Sequence, residues 1–257
     1  MNYKNKRILF MGDSITNLGT EERGWVRYFN EIIKPSFIAN TAVIGAKWND
    51  TPETVYDGNP IWEGHSGGDD RHNVIGNQVE KLLRGKDKTH PNYSYVADYE
   101  DFDYIFIAAG TNNYDFSQKF DDVEAVNRQF YKENGEVLPL EEVNRRTWAG
   151  AVRYTYENLR KMYPTAKIFI CAPIQAAEDS RDFKGIRERG ILLKLICERI
   201  SDVTFVNTFE CGICGLYEAW QKGGRDLIDG LHPNVNGAKK IGEYNARALI
   251  LSEILRG

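Results

Sequence analysis

Ser14, Asp229 and His232 are of the types, and stand in the surroundings, that acyl transfer through a serine requires. A serine hydroxyl is a poor nucleophile until a base takes its proton. The chain offers four histidines as that base: His65, His72, His90 and His232. His232 lies in Asp229-Gly230-Leu231-His232-Pro233. An aspartate three residues before a histidine, across a turn-forming glycine, can fold back and accept the ring Nδ1–H. That leaves Nε2 facing a hydroxyl. Pro233 suits the first turn of the helix expected next, which would hold His232 rigidly. Ser14 sits in Gly12-Asp13-Ser14, where glycine permits a tight turn. The plainer alternatives are a capping turn at Ser14 and a surface loop at His232.

Acyl transfer also needs donors for the developing oxyanion. The backbone N–H of Ser14 is one candidate. The side-chain amide of Asn112, in Gly110-Thr111-Asn112-Asn113, is another. Gly45 is a third, because a residue without a side chain lets its N–H approach a ligand closely.

These residues need a frame that brings them to one edge. Short, nearly continuous apolar runs at 8–11, 37–43, 104–108, 167–172 and 204–206 read as strands buried on both faces. Apolar residues at helical spacing lie between them. Trp25, Phe29, Ile32 and Ile33 form one such face, ending at Pro35. Trp148, Val152, Tyr156 and Leu159 form a second, and Leu192, Leu195, Ile196 and Ile200 a third. Ile241, Tyr244, Ala248, Leu251 and Leu255 form the last. Five strands with intervening helices predict an α/β fold with a parallel sheet covered on both faces. Ligands of such sheets bind beyond the carboxyl ends of the strands. Ser14, Gly45 and Asn112 all follow predicted strands there. Two long connections, 46–76 and 113–146, leave from the same edge. No linker or repeat interrupts the chain, so 1–257 is expected to form one domain.

Four blocks in this order resemble the SGNH branch of the GDSL hydrolase superfamily. The serine block is Gly12-Asp13-Ser14, and the glycine block is Gly45 within 40–45. The asparagine block is Gly110-Thr111-Asn112, and the last is Asp229 to His232. The resemblance covers residues 7 to about 250. It implies a flavodoxin-like three-layer α/β/α sandwich with a five-stranded parallel sheet, and a serine hydrolase needing no metal or other cofactor. It assigns Ser14 as nucleophile, His232 as general base and acid, and Asp229 as orienter. Its oxyanion hole is the Ser14 N–H, the Gly45 N–H and the Asn112 amide. Two departures stand out. Asn113 replaces the aspartate often found there. Glu63-Gly64-His65-Ser66-Gly67 matches a stretch of some carbohydrate esterases, making Gly67 a rival to Gly45. Gly45 is preferred because it directly follows a predicted strand.

The leading expectation is an esterase for short acyl groups, with O-acetyl groups on a carbohydrate as one case. A thioesterase or lysophospholipase could use the same triad. A catalytically silent carbohydrate-binding protein on this fold is disfavoured by the intact Ser14, His232 and Asp229. A flavin or phosphate site after the first strand is disfavoured by Asp13, whose charge would repel the ligand. An aspartyl phosphatase would need a second carboxylate where Ile15 stands.

Asp13, Trp48, His65, Asn113 and Tyr114 are candidates to line the substrate. Trp62 and Phe116 lie on the same departing segments, whereas Trp148 and Trp220 read as core or helix-packing residues. His65, Asp69, Asp70 and His72 crowd one stretch, but irregular spacing argues for a solvated loop over a metal site. Cys211 and Cys214 form a CxxC without further zinc ligands, and Cys171 and Cys197 read as core.

Net charge is only -4 from 33 basic and 37 acidic residues, well mixed, which speaks against nucleic acid and membrane surfaces as partners. The expected partner is a small-molecule or carbohydrate ester. No apolar run is long enough to span a bilayer. The first residues run straight into a strand without an apolar leader, which predicts a cytoplasmic protein, or a secreted one if a leader has been trimmed.

Overall fold

The sheet grows from strands too apolar to face water on either side. A computed structural model describes residues 2–55, 72–86, 96–113, 122–177, 183–220 and 224–255. Its five parallel strands are β1 (Arg7–Gly12), β2 (Phe37–Asn40), β3 (Tyr104–Ala108), β4 (Lys167–Cys171) and β5 (Val203–Val206). They run in the order β2-β1-β3-β4-β5, as a flavodoxin-like sandwich requires. Alternate side chains serve opposite faces. Ile8 and Phe10 join one core with Phe106 and Phe169, while Leu9 and Met11 join the other with Ile105 and Ile170.

Helices α1 (Ser14–Asn17) and α2 (Trp25–Ile33) follow β1, and α3 (Ile75–Lys86) precedes β3. Next come α4 (Val123–Asn127) and α5 (Trp148–Met162), then α6 (Phe183–Cys197), α7 (Gly215–Trp220) and α8 (Val235–Ile254). On one face Trp25 and Phe29 of α2 meet Ile241, Ala246 and Leu249 of α8 above Phe10. The rings of Phe10 and Phe29 meet edge-on at 5.2 Å. On the other face Val79 and Leu82 of α3 join Val152 of α5 and Leu192 and Ile196 of α6.

Three expectations change here. β2 ends at Asn40, not at 43. The Asn40 side chain turns back, donating to the Thr16 carbonyl at 2.9 Å and accepting from the Ala42 N–H at 3.1 Å. The long connections carry structure of their own. Lys47 bridges to Val74 as α3 begins, and α4 and a bridge between Tyr131 and Val137 lie within 113–146. Trp220 is 77% exposed and meets only the edge of the Tyr217 ring, at 6.3 Å, among the described residues, so it is not a core residue.

Candidate active site

β1 and β3 pair from Ile8 with Tyr104 to Gly12 with Ala108, so the residues after each strand emerge side by side. At Gly12 the strands are so close that a Cβ there would stand 2.2 Å from the Ala108 carbonyl oxygen. Only glycine fits. Asp13 then caps α1, its carboxylate accepting the Ile15 N–H at 3.1 Å. Ser14 opens that single turn and is half-buried.

The Ser14 Oγ lies 3.0 Å from His232 Nε2. On the far side of the ring, His232 Nδ1 lies 2.7 Å from Asp229 Oδ2. A carboxylate only accepts, so Nδ1 carries the proton and the lone pair of Nε2 faces the serine hydroxyl. The other Asp229 oxygen accepts the N–H groups of His232 at 2.7 Å and Leu231 at 3.0 Å. Burial pushes the Asp229 carboxyl pKa up, but these bonds and the imidazole outweigh it and hold it below the ordinary carboxylate value. The chain hydroxyl–imidazole–carboxylate can pass a proton off the serine as the oxygen attacks.

His232 is held differently from the expected way. Pro233 does not open α8. Asn234 caps that helix through its side chain, and Pro233 precedes the cap. The rigidity comes from a closed loop instead. Ile228 N–H donates to the His232 carbonyl at 3.0 Å and Asn234 N–H to that of Asp226 at 2.9 Å. Buried Glu218 of α7 anchors the loop from beneath by accepting the N–H groups of Asp226 at 3.0 Å and Leu227 at 3.4 Å. Lys240 of α8 donates to the buried Asp226 carboxylate at 2.7 Å.

The oxyanion candidates gather on the other side. Beyond β2 the chain keeps company with β1, as Thr41 N–H donates to the Phe10 carbonyl and Val43 N–H to that of Gly12. This leads to Gly45, at φ +77°. Gly45 therefore sits in a turn beyond the end of β2 and not directly after a strand, while the Ala46 that follows it is bonded by Asn112. Gly67, its rival, lies outside the described residues, as do His65, Trp62, Tyr114 and Phe116. The Asn112 amide donates to the Ala46 carbonyl at 3.2 Å, which ties the asparagine and glycine blocks together. Among the described residues nothing accepts from the N–H of Ser14 or Gly45.

Other candidates are drawn inward. Trp48 is fully buried and its ring N–H donates to the Ala109 carbonyl at 3.1 Å, so it anchors the core and does not line an open cleft. Asn113 is buried too; it accepts from the Trp48 N–H at 3.1 Å and donates to Asn49. Asp13 is buried beneath the serine as a cap. His72 is buried, while Asp69 and Asp70 lie outside the described residues. Among the described residues no group of three or more His, Cys, Asp or Glu is placed to hold a metal. The cysteines are unpaired, and burial pushes the Cys211 thiol up to about 11.

Sequence reasoning missed Gln78. This α3 side chain is fully buried and grips both backbone groups of Gly12. Its oxygen accepts the Gly12 N–H at 3.1 Å and its amide donates to the Gly12 carbonyl at 2.8 Å. It thereby replaces a sheet partner where β1 ends. A glutamine on a polar helix carries no sequence signal for this. Gln78→Leu would leave the Gly12 N–H buried and unpaired, at a cost of about 1–3 kcal/mol. Urea unfolding should show that loss, together with a fall in turnover as Ser14 loses its mooring.

A sequence model described as the GDSL-like lipase/acylhydrolase family matches residues 10–240. The chain belongs to this family. It is accordingly an ester hydrolase of the GDSL type. No curated protein matches the chain. Solved structures share its fold at low identity. A possible lipase from Chitinophaga pinensis is 15% identical at TM-score 0.56, over 97% of this chain and 99% of that one. A member of the lipolytic protein G-D-S-L family from Veillonella parvula is 15% identical at TM-score 0.51, over 94% and 96%. Est24, a carbohydrate acetylesterase from Sinorhizobium meliloti, is 17% identical at TM-score 0.52, over 96% and 99%. No helix among the described residues of this GDSL-type hydrolase is long and apolar enough to cross a membrane.

Proposed function

We propose that this hydrolase removes short acyl groups, acetyl above all, from hydroxyls of a carbohydrate, through an acyl-enzyme on Ser14. The observation that carries the proposal is the continuous contact from Ser14 Oγ through His232 to Asp229, at 3.0 and 2.7 Å. His232 Nε2 takes the hydroxyl proton as Oγ bonds to the ester carbonyl carbon. The carbonyl oxygen becomes an anion facing the N–H groups of Ser14 and Gly45 and the Asn112 amide. The ester C–O bond then breaks, and the leaving alcohol takes the proton from His232. Water then attacks the acyl-enzyme, giving a proton to the same nitrogen; the acyl C–Oγ bond breaks, His232 returns that proton to Ser14 Oγ, and the acid is released.

The preference for a short acyl group and a polar alcohol rests on surroundings. A cleft bordered by α1 is lined by Asn17, Asn40, Thr41 and Lys81. A larger groove of mixed character, lined by Ile32, Ile250 and Ile254 together with Lys4 and Lys34, sits with the residues that precede β1, at the opposite end of the sheet. The apolar cavity lined by Asp13 and Ile15, the residues on either side of Ser14, has a volume of about 20 Å³, too small for a long acyl chain. The fold neighbour named as a carbohydrate acetylesterase is consistent with this choice.

A series of p-nitrophenyl esters run beside acetylated oligosaccharides tests the reading. Turnover should be greatest for acetate and fall with each added pair of carbons, and acetate should be released from the oligosaccharide. A rise in kcat/KM toward eight or more carbons would replace it with a lipase or thioesterase reading.

A further inference from the structure

The N–H of Gly45 belongs to a peptide that its own turn leaves free to point either way. Ala46 N–H donates to the Val43 carbonyl at 3.2 Å, so residues 43–46 close a four-residue turn. Gly45, third in it, has φ +77°. That combination is a type II turn. Types I and II differ by a flip of the middle peptide, here the one joining Ile44 to Gly45. In a trans peptide the carbonyl and the N–H point in opposite directions, so a grip on the Ile44 carbonyl aims the Gly45 N–H. Glycine adopts either sign of φ and does not itself choose.

Asn73 supplies the grip. Its side-chain amide donates to the Ile44 carbonyl at 3.2 Å. The residue is 1% exposed and lies just before α3, the helix that carries Gln78. Its backbone is held without help from the side chain. The Asn73 carbonyl accepts the Lys47 N–H at 3.0 Å, and the Lys47 carbonyl accepts the Ile75 N–H at 2.9 Å. The Asn77 side chain donates to the His72 carbonyl at 2.9 Å. The other end of the Asn73 amide sets this residue apart. Its Oδ1 is buried, with no hydrogen-bond partner among the described residues. A buried acceptor left unpaired weakens a fold, so asparagine is a poor choice here for stability alone. Such local costs concentrate where a residue serves the site.

We propose that Asn73 is a positioning residue for ester hydrolysis. It locks the Ile44–Gly45 peptide in the type II orientation and keeps the Gly45 N–H turned toward the oxyanion. Its bond to the carbonyl also polarises that peptide, which makes the N–H a stronger donor. The start of α3 thus serves two parts of the site, Gly12 through Gln78 and Gly45 through Asn73. The proposal rests on acyl transfer at Ser14 for its use in the reaction, but the hold on the turn does not.

Asn73→Leu, close in shape, tests both halves. Turnover of p-nitrophenyl acetate should fall about thirtyfold, somewhat less than deleting an oxyanion donor outright. KM should stay within about twofold, because the lost interaction is made only in the transition state. The urea midpoint should not fall. Nuclear Overhauser spectra of the free proteins read the turn without any turnover. In the wild type the Gly45 amide proton should lie close to the Ile44 Hα, as a type II turn requires, and in Asn73→Leu that contact should weaken. Asn73→Asp, whose carboxylate would repel the Ile44 carbonyl, should weaken it too. An unchanged contact, an unchanged kcat, or a loss of activity that follows a lower urea midpoint would each overturn the proposal. Near wild-type turnover by Ser14→Ala would instead strike the acyl-transfer reading, while the Ile44–Gly45 contact would still report whether Asn73 sets the turn.

Discussion

Ser14→Ala is expected to lower turnover of p-nitrophenyl acetate by about a thousandfold or more. The hydroxyl it removes lies 3.0 Å from His232 Nε2 and is the bond-forming group of the proposed reaction. Without it, His232 can only activate water, while the oxyanion donors remain and sustain a residual rate. Folding should be spared. Ser14 is half-buried, and the cap of α1 is Asp13, whose bond to Ile15 does not involve the serine. The measurement is kcat beside a urea unfolding curve. Near wild-type turnover in a folded protein would remove Ser14 from the reaction and with it the acyl-enzyme.

Asp229→Asn should cost on the order of a thousandfold or more in turnover while leaving the loop in place. The oxygen of the new amide can still accept the N–H groups of Leu231 and His232, which in the native protein go to Oδ1 at 3.0 and 2.7 Å. Its nitrogen would then face His232 Nδ1 as a donor. That drives the ring proton to Nε2, where it confronts the serine hydroxyl and cannot take its proton. A loss below about tenfold would mean that Asp229 only shapes the loop.

The same substitution carries a pH signature. The native Asp229 carboxyl is held below its ordinary value of 3.8. A depressed carboxyl adds stability above the unfolded value, and that share fades as pH falls through the folded one. An amide does not titrate, so the Asp229→Asn protein should lose less stability than the wild type between about pH 5 and about pH 2. With half of the Asp229 side chain exposed, the difference should be small but of this sign.

How legible this was in the sequence differed by level. The strands were plain because residues such as Ile105, Phe106 and Ile107 are buried on both faces and cannot tolerate polar interruption. β2 misled because 41–43 look like strand, yet Asn40 diverts the chain by bonding α1. Ser14, Asp229 and His232 were legible because they meet through short, stereotyped turns. Their supports were not. Gln78 and Glu218 are polar residues on helices, a pattern that ordinarily means solvent, and only the tertiary fold turns them inward. Trp48 and Trp220 show the converse: one type of side chain, buried whole in one case and displayed in the other, according to neighbours remote in sequence.

The contact between Ser14 and His232 spans 218 residues of chain. Loop closure on that scale is entropically costly, and the His232 loop leads directly into α8, which packs against α2 near the start of the chain. Neither end of the chain can therefore carry the reaction alone. In refolding, the return of ester hydrolysis would mark the moment when both ends have found the sheet, a clock for complete assembly that no single helix or strand could provide.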